Sequence, residues 1–300
     1  SKQTISPRSV LSPALGESAY NRSVELRLMP EYRHDGNRIG LHYELVGSVN
    51  ELSSASLPEG LEAFSNRIPD DRRRFMDLST RLAVDGERIA YHRIDRLFWR
   101  RDAEWGSLTI GRSALTWGNG LIFNPMDLFN PFAPTDVERD YKLGDDLLLL
   151  NLYPADWNGG LDWQVLLVPR RDPTSGNLRA DNSSLAIKAH FFTREAEWDL
   201  LASVHYDEPV LALGRVGTLG NAVWRMDASV TFARNGNTYL STVANVDRSW
   251  SIGGRNWYGS LEFHFNSFGI RHYRNLLREV DLIQRLQRAD LFTVGRMYLA

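Results

Sequence analysis

Apolar and polar residues alternate at period two along most of the chain. Val24, Leu26, Leu28 and Tyr32 alternate with Glu25, Arg27, Glu31 and Arg33. Turn residues follow at His34, Asp35, Gly36 and Asn37, and Ile39, Leu41, Tyr43 and Leu45 then alternate with Gly40, His42 and Glu44. This predicts a hairpin with one apolar and one polar face. The same alternation places Leu185, Ile187, Ala189 and Phe191 opposite Ser184, Lys188 and His190. It places Trp198, Leu200, Ala202, Val204 and Tyr206 opposite Glu197, Asp199, Ser203 and His205. Trp224, Met226, Ala228, Val230 and Phe232 likewise oppose Arg225, Asp227, Ser229 and Thr231. In all, the pattern predicts about fourteen strands of roughly 8–13 residues, long enough for a tilted strand to cross a bilayer. Phase breaks between Glu87 and Arg101, where Arg93, Arg96 and Arg100 do not share a face. A bulge near Ile94 would repair it.

Alternation is the same in a soluble sandwich, whose apolar face meets a second sheet, and in a membrane barrel, whose apolar face meets lipid. Two features favour the barrel. Aromatics stand at predicted strand ends: Tyr32, Trp99, Trp105, Tyr153, Trp157, Trp198, Tyr206 and Trp257, as in interfacial girdles. Connections also alternate between short turns (Asp85-Gly86, Asn235-Gly236-Asn237) and long polar loops (Asn50 to Arg73, Arg170 to Asn182). The expected fold is all-β, an antiparallel transmembrane up-and-down barrel over residues 23–300, with a long loop at 114–144. Residues 1–22 form a separate N-terminal segment, with Pro13 to Tyr20 either a short helix or disordered. Arg278 to Arg288 reads as a short amphipathic helix in the last long loop.

Composition narrows the choice. Of 300 residues 43% are hydrophobic, yet no apolar run approaches the roughly 18–20 residues of a transmembrane helix. With no cysteine there is no disulfide and no thiolate site. The net charge of −2 gives no global support for nucleic-acid binding. Lysines are confined to Lys2, Lys142 and Lys188, so nearly all cations are Arg. That bias suits fixed charge ladders on a wall, and high genomic GC content would produce it equally. Ser1 to Ser18 has no apolar core, so a signal peptide is expected to have been removed or to lie outside this sequence.

The segment from Gly111 to Leu148 is the most specific. It runs Gly111-Arg112, then Thr116-Trp117-Gly118-Asn119-Gly120, then Asn124-Pro125-Met126-Asp127-Leu128-Phe129-Asn130-Pro131-Phe132, then Glu138-Arg139-Asp140-Tyr141-Lys142-Leu143-Gly144-Asp145-Asp146. It resembles an uncharacterised family of bacterial outer-membrane porin-like β-barrel proteins. Asn256 to Glu262 resembles a later strand of that family. The resemblance implies an outer-membrane location, a lipid environment and a porin-like fold, and it implies no substrate. It also implies further strands beyond Ala300.

A loop of this length between short strands is usually functional. Folded into the lumen, it would act as a constriction. The candidate constriction residues are Arg112, Trp117, Gly118, Gly120, Phe123, Asp127, Phe129, Phe132, Arg139 and Asp140. The glycines would permit tight turns and the phenylalanines would anchor the loop. Arg27, His42, Glu44, Lys188, His205, Arg225 and Asp227 fall on the polar, lumen-facing side of their strands. Facing rows of charge would set ion preference; the plainer alternative is internal salt bridging, and Arg112 under the loop would then be structural. The alternative for the loop is an extracellular one with its own small core.

No metal or cofactor is expected: the Asp-rich segment lacks EF-hand spacing, and the seven histidines lack zinc-ligand spacing. No Gly-x-Ser-x-Gly elbow occurs, so no enzyme is expected, although His42 or His205 could pair with a serine on a barrel wall. The expected function is passive diffusion of small polar solutes or ions through a barrel narrowed by loop 116–142. The alternatives are a plugged barrel that binds a partner, or an outer-membrane enzyme acting on lipid or polysaccharide.

Overall fold

The computed structural model describes residues 2–4, 18–50, 71–85, 87–129, 131, 142–154, 160–270, 282, 283, 285 and 296–299. Its strands are β1 (Lys2–Thr4), β2 (Ser18–Leu28), β3 (Glu31–His34), β4 (Asn37–Asn50), β5 (Ser79–Asp85), β6 (Arg88–Ala103), β7 (Gly106–Ser113) and β8 (Asp145–Leu152). They continue as β9 (Asp162–Val168), β10 (Ser184–Phe192), β11 (Ala196–His205), β12 (Glu208–Leu219), β13 (Ala222–Phe232), β14 (Thr238–Ile252), β15 (Arg255–Asn266) and β16 (Met297–Leu299). All sixteen belong to one antiparallel sheet, ordered β1-β2-β4-β6-β7 and then consecutively to β16, with β3 on β4 and β5 on β6. This is the up-and-down topology that the alternation predicts. Among the described residues, no ladder joins β16 to β1 or β2.

Short pieces raise the strand count above the expected fourteen. β2 and β3 run along the same edge of β4 and are one strand interrupted at Met29-Pro30, because proline has no N–H for the ladder. The N-terminal segment differs from expectation. Ser18 to Arg22 already belong to β2, and Lys2–Thr4 pair with Ser18–Tyr20. Residues 5–17, and with them most of the expected Pro13–Tyr20 helix, lie outside the described residues. Of the expected C-terminal helix, Leu282, Ile283 and Arg285 are helical.

The hairpin turn falls at Asp35-Gly36, with φ of 44° and 70°, the two positive values that match strand twist. The expected bulge is present. His42 pairs with Arg96 and Tyr43 with Ile94, so Asp95 is the extra residue. Its insertion lets Arg93, Asp95 and Arg96 all be buried.

Strand directions separate two ends. One end carries the connections 51–78, 114–144 and 169–183; the other carries the tight turns 35–36, 104–105, 220–221 and 253–254. The turns at 85–87 and 233–237 lie at the long-loop end. They are therefore not the short-turn side that the sequence reading took them for. The exposed aromatics Tyr32, Trp99, Trp105, Tyr153 and Trp257 stand toward the short-turn end. Tyr206 does not join them: it is buried in the β11–β12 turn, with the Arg170 guanidinium 4.9 Å from its ring centroid. Trp157 lies outside the described residues.

Burial is inverted relative to a soluble sheet. Leu185, Leu211 and Leu261 are 55%, 54% and 53% exposed, while Asp227 is 0% and Glu262 2% exposed. The apolar face looks outward over almost every strand, and the polar face is sealed inside.

The sheet's joints are tight at chosen points. Gly106 has φ +146°, and a Cβ there would overlap the Asn151 carbonyl on β8. Gly47 has open space around it. Gly106→Ala is expected to destabilise the sheet by about 2 kcal/mol or more, and Gly47→Ala by nothing measurable. Denaturant titration of the two variants checks the contrast; equal stabilities would contradict this β7–β8 register.

Candidate functional site

The loop after β7 turns inward and crosses the concave face. From Ser113, the end of β7, to Leu121 is eight residues, which span at most about 29 Å. β15 lies eight strand steps from β7, roughly 38 Å along a flat sheet. The backbone N–H of Leu121 nevertheless donates to Glu262 on β15 at 2.6 Å. The sheet must therefore be rolled, with the loop running across the chord.

Glu262 is the chief anchor. Besides Leu121, its carboxylate accepts N–H groups from Ile122 at 3.0 Å and Phe123 at 2.8 Å, and the Asn245 amide at 3.0 Å. Asp227 on β13 accepts the Asn119 backbone N–H at 2.6 Å and its side-chain amide at 2.9 Å. Successive N–H groups converging on a carboxylate form an anion nest, here filled by the protein's own wall. Gly118 provides the positive φ, +98°, that turns the loop into this nest. At Gly120 a Cβ would overlap the Phe123 carbonyl. Phe123 stacks on His264 with ring centroids 4.7 Å apart.

Beyond the nest the loop makes its own apolar contacts with the wall. Trp117, Met126 and Phe129 pack with Leu147, Leu166, Val168, Ala186, Leu201 and Ala212, which belong to β8–β12. Lys142 donates to Asp127 and to the Leu115 carbonyl, closing the loop's base. Burial pushes the Lys142 ammonium below its ordinary value, with Asp127 opposing. Phe132, Arg139 and Asp140 lie outside the described residues, as do Asp136 and Glu138.

The opposite wall is a lattice of charge. Arg27 lies 3.4 Å from Glu44 and 3.5 Å from Asp95. Arg93 pairs with Glu44, and Arg96 pairs with Asp95 at 2.6 Å. Arg112 is 1% exposed; it forms a fork with Asp146 at 2.8 and 3.1 Å, and it reaches Asp71 at 3.0 Å and the Met76 carbonyl at 2.6 Å. It is thus held under the loop and clamps segment 71–78 to the wall. Burial alone would raise the Asp71 carboxyl, but Arg74 and Arg112 outweigh it and hold it below the usual carboxylate range. This anchor contributes stability above the ordinary carboxylate range and loses it only as pH falls below that range.

The remaining expected residues face the same interior. Lys188 pairs with Asp199 at 2.8 Å, and Arg225 pairs with Asp247. His42 is 3.6 Å from Glu31. His205 Nδ1 lies 2.8 Å from Ser184 Oγ, with Phe129 and Tyr206 edge-on to its ring at 5.3 and 4.7 Å. A buried serine and histidine capped by two aromatics act as a strand-to-strand pin. Sequence reading missed Glu262 as an anchor. Its signal was present, the one acidic residue of its strand and at inward parity, but nothing local shows that backbone amides from 140 residues away fill it. Among the described residues no cluster of His, Cys, Asp or Glu could hold a metal ion.

No family model matches the chain, and no curated protein sequence matches it. Among solved structures it is similar to Pseudomonas aeruginosa OpdK, crystallised with vanillate (TM-score 0.43, 14% identity, 82% of this chain, 61% of that one). It is similar to Acinetobacter baumannii OccAB3 (0.40, 12%, 84% and 61%). It is also similar to OmpT, an outer membrane protein of Vibrio cholerae (0.29, 9%, 85% and 92%). The chain spans about 61% of the length of the first two.

Two variants separate wall from loop. Arg112→Met strips the cationic partner from buried Asp146 and leaves Asp71 with Arg74 alone, and it is expected to cost about 3–5 kcal/mol in denaturant titration. Glu262→Ala is expected to leave the sheet folded while the amides of Leu121, Ile122 and Phe123 lose hydrogen-exchange protection; undiminished protection would contradict the anchor.

Proposed function

We propose that this chain forms the wall of an outer-membrane, porin-like channel that passes small polar solutes or ions, with the 116–142 loop setting its width. The observation that carries the proposal is the inverted sheet: an outward apolar face, an inward charged face, and a loop tied across the interior by Asp227 and Glu262. An exposed apolar surface of this extent is foreign to soluble monomers and is what a strand wall in lipid requires. By the same rule the short-turn end faces the periplasm and the long loops face outward.

In this reading the inward side chains divide the work. Arg27, His42, Glu44, Lys188, Arg225 and Asp227 give the lumen wall its polarity. Trp117, Phe123, Asp127 and Phe129 hold the loop in place rather than meeting the solute. Phe132, Arg139 and Asp140 lie outside the described residues and keep, in this reading, the constriction role that the sequence suggests. Arg112 is assigned a supporting role beneath it. Facing charges across the passage would set ion preference. A second reading, a plugged barrel that serves as a binding partner, draws on the apolar cluster that seats the loop against β8–β12.

Single-channel recording in planar bilayers tests the proposal. Stable steps are expected from the wild-type protein, and larger or noisier steps from an Asp227→Ala, Glu262→Ala double variant whose loop is untied. A folded protein that gives no steps, but conducts once untied, would favour the plugged reading. Silence from both would overturn the channel.

A further inference from the structure

The outward residues of β11–β15 are apolar or uncharged with three exceptions, Arg215, Arg248 and Arg255. No outward carboxylate accompanies them on these strands. Two of them occupy matching places: Arg215 stands five residues before the 220–221 turn, and Arg248 five before the 253–254 turn. Arg255 begins β15 beside the latter turn. All three lie on the short-turn halves of their strands, as do the outward tryptophans Trp198, Trp224, Trp250 and Trp257.

Arg215 is the most constrained. Its guanidinium lies between two indoles, 4.6 Å from the Trp198 ring centroid and 5.0 Å from that of Trp224. Trp224 is itself laid flat, because its ring fills the space over Gly217 where a Cβ would stand. Trp250 covers Gly259 in the same way. Among the described residues no ion pair includes Arg215, and its Nε is buried with no hydrogen-bond partner.

With an indole close on either side, the guanidinium has its N–H edge left to meet an acceptor. That edge matches the paired oxygens of a phosphate. The surroundings decide which phosphate. Leu213 and Leu211, on the same face of the same strand and on the side of Arg215 away from the turn, are 37% and 54% exposed, and a free phosphate ion gains nothing from them. A phospholipid does, because its acyl chains lie on the leucines while its phosphodiester meets the arginine.

The geometry points to a phospholipid headgroup site on the outer surface of β11–β15, in the leaflet that faces the short turns. Arg215, held between Trp198 and Trp224, binds the phosphodiester, and Arg248 adds a second positive charge. This rests on the membrane-barrel reading above, but not on the pore being open.

Native mass spectrometry of the detergent-solubilised full chain, titrated with dioleoylphosphatidylglycerol, tests it. Arg215→Gln is expected to raise the lipid concentration for half-occupancy of the tightest site about fivefold to tenfold. Arg248→Gln is expected to raise it less, and it serves as the test if Arg215→Gln does not fold. Lipid retention unchanged in both variants would overturn the site. Displacement of the lipid by millimolar inorganic phosphate would also overturn it, since the pocket would then select a free ion. Heat-shifted mobility of the unliganded protein reports barrel formation separately, and conductance reports the pore, so a failed channel and a failed lipid site remain distinguishable.

Discussion

The bond between Glu262 and the amides of residues 121–123 governs the rest of the molecule. A carboxylate sealed inside a protein persists only with its lone pairs filled, and here backbone N–H groups and Asn245 fill them. Those amides come from a loop rooted eight strands away. Meeting that demand requires the sheet to roll. A rolled sheet in turn gives Trp117, Met126 and Phe129 a concave apolar surface on β8–β12. Curvature, loop path and interior packing follow from one ion's need for partners.

The same need orders the opposite wall. Arg27, Arg93, Arg96 and Arg112 stand near one another on neighbouring strands, and each has a carboxylate within reach. Paired in this way, the arginines become rigid. Arg is suited to the role because one guanidinium can bridge two carboxylates and a carbonyl, as Arg112 does with Asp146, Asp71 and Met76. The charge that lines the interior is thus also its scaffold. Outside, where no counter-charge exists, charged residues on β11–β15 are few and confined to the aromatic rim.

Much of this was legible in the sequence. Alternation alone assigned Asp227, Lys188 and His205 to one face and Leu200, Val204 and Met226 to the other, since side-chain parity in a strand is local. The broken phase near Ile94 marked the bulge that Asp95 occupies. Tyr206 was misread because its parity continues β11, whereas φ of 51° turns the chain there and folds the ring inward. The short turns were assigned to the wrong end because turn length, unlike direction, can be read without counting every strand. Glu262 and Asp71 were beyond reach: their partners are set by the sheet's curvature, and curvature is not written in any local window.

The central claim is that the apolar face of this sheet meets lipid. The chain has no cysteine, so single nitroxide-labelled cysteines can be placed at each position from 199 to 205 of β11 in vesicle-inserted protein. Accessibility to oxygen, which concentrates in the bilayer, is predicted to peak at positions 200, 202 and 204 and to fall at 199, 201, 203 and 205. Strong accessibility of 200, 202 and 204 to a water-soluble nickel complex, with no period-two oxygen signal, would contradict the account.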